Sequence, residues 1–235
     1  MKLLLTSQGI TNPSLRSALV ELLGKPIEES RAIFVSTGMH PFRGGGDGMV
    51  RALRGDLAPH LTGLGWGSLG LLEITALETV KRENWVHDLT TTDALLVWGG
   101  HVAYLHYWMK RSGVADFLAS RENLVYVGVS AGSIVTTPHN CDAESNLEEL
   151  PENSPARDGA SGGLALVPFT MWVHVGNPHP IFADHTLENV ERWSRTVPAP
   201  TYSLDDNSGV VVEGHDVRVV SEGDWRLFVP PVEGI

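Results

Sequence analysis

Short apolar runs alternate along this chain with longer amphipathic segments, which is how a polypeptide writes an α/β layer fold. Lys2 to Thr6 reads as a first strand, Ser14 to Leu23 as a helix closed by Gly24, and Arg31 to Ser36 as a second strand. A glycine-rich stretch, Arg43-Gly44-Gly45-Gly46-Asp47-Gly48, comes next. It lacks the GK[ST] of a phosphate cradle and the spacing of a dinucleotide loop, so it reads as a flexible loop with Asp47 near the start of a helix through Leu57. Leu69 to Thr75 and Ala94 to Trp98 are the third and fourth strands. The latter runs into Gly99-Gly100 and a helix from His101 to Arg111, and Leu124 to Val127 is another strand. Later come LALVPFTMWVH, an apolar strand ending at His174, and a helix from about Asp184 to Arg195. Short strands follow at Thr201 to Leu204, Gly209 to Val212, Val217 to Val220 and Arg226 to Val229. No repeat and no linker divides the chain, so residues 1–235 read as one domain.

One junction in this pattern carries chemistry. The run LVYV is followed by Gly128-Val129-Ser130-Ala131-Gly132, a GxSxG pentapeptide between a strand and a small-residue stretch. A strand stopping there and a helix starting at Ala131 would present the Ser130 hydroxyl to the free N–H groups of the helix. Glycines on either side allow the strained turn to pack closely. A bare GxSxG also occurs by chance in ordinary strand-to-helix turns, so the motif needs partners.

A serine nucleophile needs a base and an orienting acid. Of the ten histidines, His174 ends a strand where α/β sites collect their residues, and His179 lies in the same loop as the alternative. His40, His60, His87, His106, His139, His185 and His215 read as surface or structural residues. Directly after TYSL, the turn Leu204-Asp205-Asp206-Asn207 offers two carboxylates, either of which could reach an imidazole. Residues 139–163 are acidic and rich in Ser, Gly, Pro and Asn, which marks a long surface loop with the composition of a lid or specificity wall.

Composition narrows the class without choosing a substrate. A chain of 235 residues buries roughly 70 per cent of its unfolded-chain surface. Seventeen Lys plus Arg against 28 Asp plus Glu gives a net charge of −11, which argues against nucleic acid and anionic membranes as partners. The single cysteine, Cys141, excludes an intrachain disulfide and CxxC redox or metal motifs, and suits a reducing cytoplasm. MKLLLTSQG is too short in apolar length for a signal peptide, and no stretch approaches a membrane span, so a cytoplasmic location is expected. His174 and His179 lack a third ligand at usable spacing, so neither metal nor other cofactor is expected.

With these residues in place, the chain resembles the S51 serine peptidases, the peptidase E (aspartyl dipeptidase) and cyanophycinase group. The markers are the opening strand KLLLTS, the strand-Gly-Gly-helix segment VWGGHVAYL, the elbow GVSAGS, the strand-end histidine and the SLDDN turn. The resemblance implies a three-layer sandwich around a mostly parallel sheet, the flavodoxin-like arrangement of class I glutamine amidotransferases. It implies Ser130 as nucleophile, His174 as base and an acid in the turn, Asp206 matching the family's Glu or Asp. The order Ser, His, acid also differs from the Ser, acid, His order of α/β-hydrolases. Backbone N–H groups of Gly100 and Ala131 match the family's oxyanion hole, where each donor is worth about 3 to 4 kcal/mol.

Two departures bear on substrate. His101 stands where peptidase E has the Asn of GGGNT, and Leu187, in Thr186-Leu187-Glu188, stands where it has an Arg. Leucine cannot pair with a substrate carboxylate, and an unpaired buried anion costs several kcal/mol. The expectation is therefore a peptidase for short peptides, dipeptidase-like and not strictly Asp-specific. Cyanophycin cleavage is no better supported, since its recognition segments are also missing. An esterase or amidase for non-peptide acyl compounds would use the same triad, and a non-catalytic binding module could keep the fold. A cysteine-dependent amidotransferase is excluded by Ser at the elbow. The sequence does not set the oligomeric state; a homodimer is compatible with it.

Overall fold

The computed structural model describes residues 1–57, 61–141 and 147–230; His60 and residues 142–146 of the acidic loop lie outside the described residues. Five apolar runs form parallel strands of one sheet: β1 (Lys2–Thr6), β2 (Arg31–Val35), β3 (Ser68–Leu71), β4 (Ala94–Val97) and β5 (Val125–Val129). A small second sheet contains β6 (Thr170–Trp172), β7 (Thr201–Leu204) and β10 (Trp225–Phe228) in the order β10-β7-β6. β8 (Ser208–Glu213) and β9 (Asp216–Ser221) complete the large sheet as antiparallel neighbours at one edge, giving β3-β2-β4-β5-β1-β8-β9. The helices are α1 (Pro13–Leu23), α2 (Gly45–Leu53), α3 (Arg82–Thr90), α4 (Val102–Arg111), α5 (Val114–Ala119), α6 (Ala131–Ile134) and α7 (Leu187–Ser194).

β1, β2, β4 and β5 read as near-unbroken apolar runs because both faces of the sheet are covered there. Leu3 and Leu5 of β1 join Leu105 and Met109 of α4 and Phe117 of α5 in one core, while Leu4 turns the other way onto Leu15, Leu19 and Leu22 of α1. β2 and β4 divide in the same manner, Val35 and Val97 facing the first core, Phe34 and Leu96 the second. This is a three-layer α/β sandwich with a mostly parallel central sheet. Leu4 is fully buried, so Leu4→Ala would cost about 2 to 5 kcal/mol.

Several boundaries move, each for a local reason. β3 spans 68–71 rather than 69–75, because the Glu73 side chain accepts from Thr75 N and caps a 3₁₀ turn over Ile74–Thr79. The helix expected from Asp47 through Leu57 runs from Gly45 to Leu53. Gly45 packs so tightly that a Cβ there would sit 2.0 Å from the Met39 carbonyl oxygen. The apolar run ending at His174 yields only Thr170–Trp172 as strand: Leu164 and Leu166 donate instead to Val135 and Thr136 carbonyls in loop contacts, and Pro168 has no N–H to offer a ladder. α7 begins at Leu187, where Thr186 caps Asn189 N, and not at Asp184. The helices α3 and α5 had no counterpart in the sequence pattern: α3 exposes most of its length and buries only Trp85 and Leu89, and α5 is six residues long and buries Val114, Phe117 and Leu118.

Candidate active site

Three strands of the large sheet and two of the small one end at the same place. The carboxyl ends of β1, β4 and β5 bring Ser7, Gly99-Gly100 and Ser130 together, and the residues after β6 and β7 deliver His174 and Asp206. This is the edge at which open parallel sheets hold ligands.

Ser130 stands at φ 54°, ψ −119°, a conformation that costs about 1 to 3 kcal/mol for a residue with a Cβ and persists only where its surroundings enforce it. Those surroundings are identifiable. Ser130 N donates to the carbonyls of Thr6 and Ser7, each at 3.1 Å, and the Ser130 carbonyl accepts from Ser133 and Ile134 as the first turn of α6. Ser133 Oγ donates to Thr6 O at 2.8 Å, tying that turn to β1. The flanking glycines have the role anticipated for them: a Cβ on Gly132 would lie 2.1 Å from Val97 O, and one on Gly128 2.7 Å from Gly132 O.

A chain of hydrogen bonds leads away from the serine. Ser130 Oγ lies 2.9 Å from His174 Nε2, and His174 Nδ1 lies 2.7 Å from Asp206 Oδ1. His174 is 3 % exposed and, like Ser130, sits at positive φ, 59°. Burial by itself would raise the Asp206 pKa. Hydrogen bonds and charge from His174, then bonds from Asn177 Nδ2 and Ser7 Oγ, outweigh it and hold the carboxyl below its ordinary value. An anionic Asp206 makes Nδ1 the protonated nitrogen of neutral His174, which leaves the Nε2 lone pair facing the Ser130 hydroxyl. The imidazole is also held from its faces: Phe182 stacks on it with centroids 4.1 Å apart, and His185, donating from Nδ1 to Val173 O at 2.7 Å, tilts against it at 6.2 Å.

The backbone opposite the hydroxyl is equally constrained. Ala131 N opens α6 and has no carbonyl one turn back to bond. Gly99 approaches so closely that a Cβ there would be 3.1 Å from Ser130 Cβ; Gly100, at φ 128°, lies against Gly38, whose carbonyl accepts from His101 N at 2.8 Å. Chemically, the arrangement sets an imidazole nitrogen where it can take the serine proton.

Of the residues singled out in the sequence, Ser130, His174, Asp206, Gly100 and Ala131 converge. Asp205 does not: its carboxylate accepts from Asn207 N, Ser208 Oγ and Asp224 N and builds the turn. His179 is exposed and caps the short turn Pro180–Phe182. His101 is 3 % exposed and caps α4, accepting from Tyr104 N, with its ring tilted against Phe42. Leu187, half-buried at the start of α7, follows two residues after His185. Of the acidic loop, Pro155, Ala156 and Gly159 border a cavity beside the second half of α4. The sequence reading missed Ser7, Asn177, Phe182 and Glu73. Glu73 accepts from Thr37 Oγ1 at 3.2 Å, from Thr75 and from His40 Nε2 at 2.8 Å, on the flank of the Gly38 turn. Burial would raise its pKa, but those bonds, His40 first, lower it on balance, so it is anionic. Only Ser7 left a trace in the pattern, as a polar residue directly after a buried strand.

A model of peptidase family S51 matches residues 56–220 of the chain. Among solved structures, the chain is similar to a Listeria monocytogenes EGD-e protein assigned as peptidase E, with a TM-score of 0.62 and 17 % identity over 94 % of this chain and 98 % of that one. It is also similar to a peptidase from an acI-B1 Actinobacterium, with a TM-score of 0.64 and 14 % identity over 98 % of this chain and 94 % of that one. No curated protein matches. At these identities the structural likeness speaks for the fold alone. Among the described residues no helix is long and apolar enough to cross a membrane.

Proposed function

The chain belongs to peptidase family S51 and is a serine-type peptidase; from that premise we propose that it hydrolyses short peptides, with Ser130 as nucleophile, His174 as general base and Asp206 as orienting acid. The observation that carries this assignment is the unbroken relay from Ser130 Oγ through His174 to Asp206, at 2.9 and 2.7 Å, on a strained elbow. In the reaction, Ser130 Oγ attacks the scissile carbonyl carbon while His174 Nε2 takes its proton. The carbonyl oxygen becomes an oxyanion between the N–H groups of Gly100 and Ala131. The intermediate collapses as His174 returns the proton to the leaving amine, leaving an ester on Ser130. A water, deprotonated by the same imidazole, hydrolyses that ester and restores the serine.

The substrate side chain next to the cleaved bond is neutral rather than acidic in this reading. Leu187 offers no cation where peptidase E has its Arg, and the anionic Glu73 is bonded to Thr37, whose neighbour Gly38 packs on Gly100. A carboxylate near that turn would meet like charge. A panel of X-Leu dipeptides tests this. X as Met, Leu or Ala is expected to outrun X as Asp by roughly tenfold or more in kcat/KM, equivalent to about 1.4 kcal/mol. Ser130→Ala run beside it is expected to lower turnover by roughly 10³ to 10⁶ with the fold intact. Fastest cleavage of Asp-Leu overturns the specificity, and a Ser130→Ala enzyme within about tenfold of the parent overturns the assignment.

A further inference from the structure

Ser7 is fully buried at the carboxyl end of β1 and is bonded to all three residues assigned above. Its carbonyl accepts from Ser130 N at 3.1 Å, its Oγ accepts from His174 N at 2.8 Å, and the same Oγ donates its one proton to Asp206 Oδ1 at 2.9 Å. The bond to His174 joins pieces that no strand ladder joins, whereas the bond from Ser130 N continues the β1–β5 pairing. Ser130 ends a strand of the large sheet, whereas His174 follows β6 of the small one. His174 holds a positive φ, and its buried N–H has the Ser7 hydroxyl as acceptor. A hydroxyl can accept from that N–H and donate to the carboxylate at once, because it carries one proton and two lone pairs.

We propose that Ser7 is a positioning residue of this peptidase, whose hydroxyl sets acid and base in register with the nucleophile. The proposal rests on the assignment of Ser130, His174 and Asp206. Removing the hydroxyl has two effects. The His174 loop loses the acceptor that holds its backbone, so Nε2 drifts from Ser130 Oγ, and misplacements of this kind cost activity steeply. Asp206 loses one of the donors that disperse its charge, so the carboxylate presents more of that charge to the imidazole and the acid limb of the Ser130 reaction moves to higher pH.

The test is the rate at which a fluorophosphonate probe labels Ser130 across pH, in the parent, Ser7→Ala, Ser7→Thr and Ser130→Ala chains, with thermal melts alongside. This readout needs no knowledge of the peptide substrate. Ser7→Ala is expected to label roughly tenfold to a hundredfold more slowly, with its acid limb displaced to higher pH, and Ser7→Thr to recover most of the rate. Labelling of Ser7→Ala within about threefold of the parent overturns the proposal. So does a slow Ser7→Ala whose acid limb stays in place and which Ser7→Thr does not improve, because that is a purely structural contribution. If Ser7→Ala fails to fold, Ser7→Cys against Ser7→Thr decides, and equal rates from the weak thiol donor and the hydroxyl count against it. A parent chain that is not labelled, or that labels as fast as Ser130→Ala, removes the nucleophile assignment and Ser7 with it. Labelling confined to Ser130 with an indifferent Ser7→Ala removes Ser7 alone.

Discussion

Replacing Asp206 by asparagine probes the site with almost no change in shape. All three side-chain partners of its carboxylate are donors: Ser7 Oγ and His174 Nδ1 on Oδ1, and Asn177 Nδ2 on Oδ2. An amide must aim its NH₂ at one of these two positions. With the NH₂ at Oδ1, the imidazole has to offer a lone pair at Nδ1 and carry its proton on Nε2, facing Ser130 as a donor, which disables it as a base. With the NH₂ at Oδ2, Asn177 has to turn its amide over, and its carbonyl is already committed to His179 N at 2.8 Å. That clash leaves a donor unpaired at about 1 to 3 kcal/mol. The first arrangement therefore competes well, and both lack the negative charge that stabilises the imidazolium. We expect kcat to fall roughly 10³- to 10⁴-fold, about 4 to 5.5 kcal/mol in the barrier. The control is Asp205→Asn. Its carboxylate closes the turn on Asn207, Ser208 and Asp224, so it is expected to lose about 1 to 2 kcal/mol of stability and keep kcat within about threefold. Steady-state kinetics on the fastest dipeptide of the panel, with thermal melts of both variants, separates the two. A catalytic loss in Asp205→Asn beside a kcat for Asp206→Asn within about tenfold of the parent refutes the reasoning.

His174→Ala is expected to be nearly as damaging as loss of the serine, and His179→Ala mild, in kcat/KM on the same dipeptide; the opposite ranking moves the base to His179. Gly100→Ala places a Cβ 2.3 Å from the Gly38 carbonyl oxygen and 2.9 Å from Met39 N, so the turn has to shift and its N–H is displaced. A fall of roughly 10² to 10³ in kcat is expected, and a kcat within about tenfold of the parent contradicts the oxyanion role. The Asp206 carboxyl titrates below its ordinary value of 3.8 in the fold, so it contributes stability at higher pH that is lost as pH falls through the folded value. Denaturant titrations below about pH 4 are expected to show a shallower loss in Asp206→Asn than in the parent, and equal slopes count against the carboxylate's being anionic there.

The alternation of apolar strands with amphipathic helices, the elbow around Ser130 and the strand-end position of His174 are properties of consecutive residues, and a linear pattern carries them. β1 and β4 need no partner to be recognised, because runs such as KLLLT and ALLV are apolar enough to demand burial. The short α3 and α5, the early end of β3 and the three-residue β6 are different, since tertiary contacts set them: a capping carboxylate, a loop docked on Val135 and Thr136, a few buried side chains. The same division runs through the site. Leu204-Asp205-Asp206 offers two acids one residue apart, and their backbone pattern does not separate them. Only the turn's fold, which commits Asp205 to Asn207, Ser208 and Asp224 and aims Asp206 at His174, distinguishes them. Ser7 lies 123 positions from Ser130, 167 from His174 and 199 from Asp206, so nothing local links them. The sequence determined which residues had to be buried and which turn had to be strained, because those depend on neighbours along the chain; which polar groups met across the two sheets was decided by the packing, because a hydrogen bond depends on distance in space.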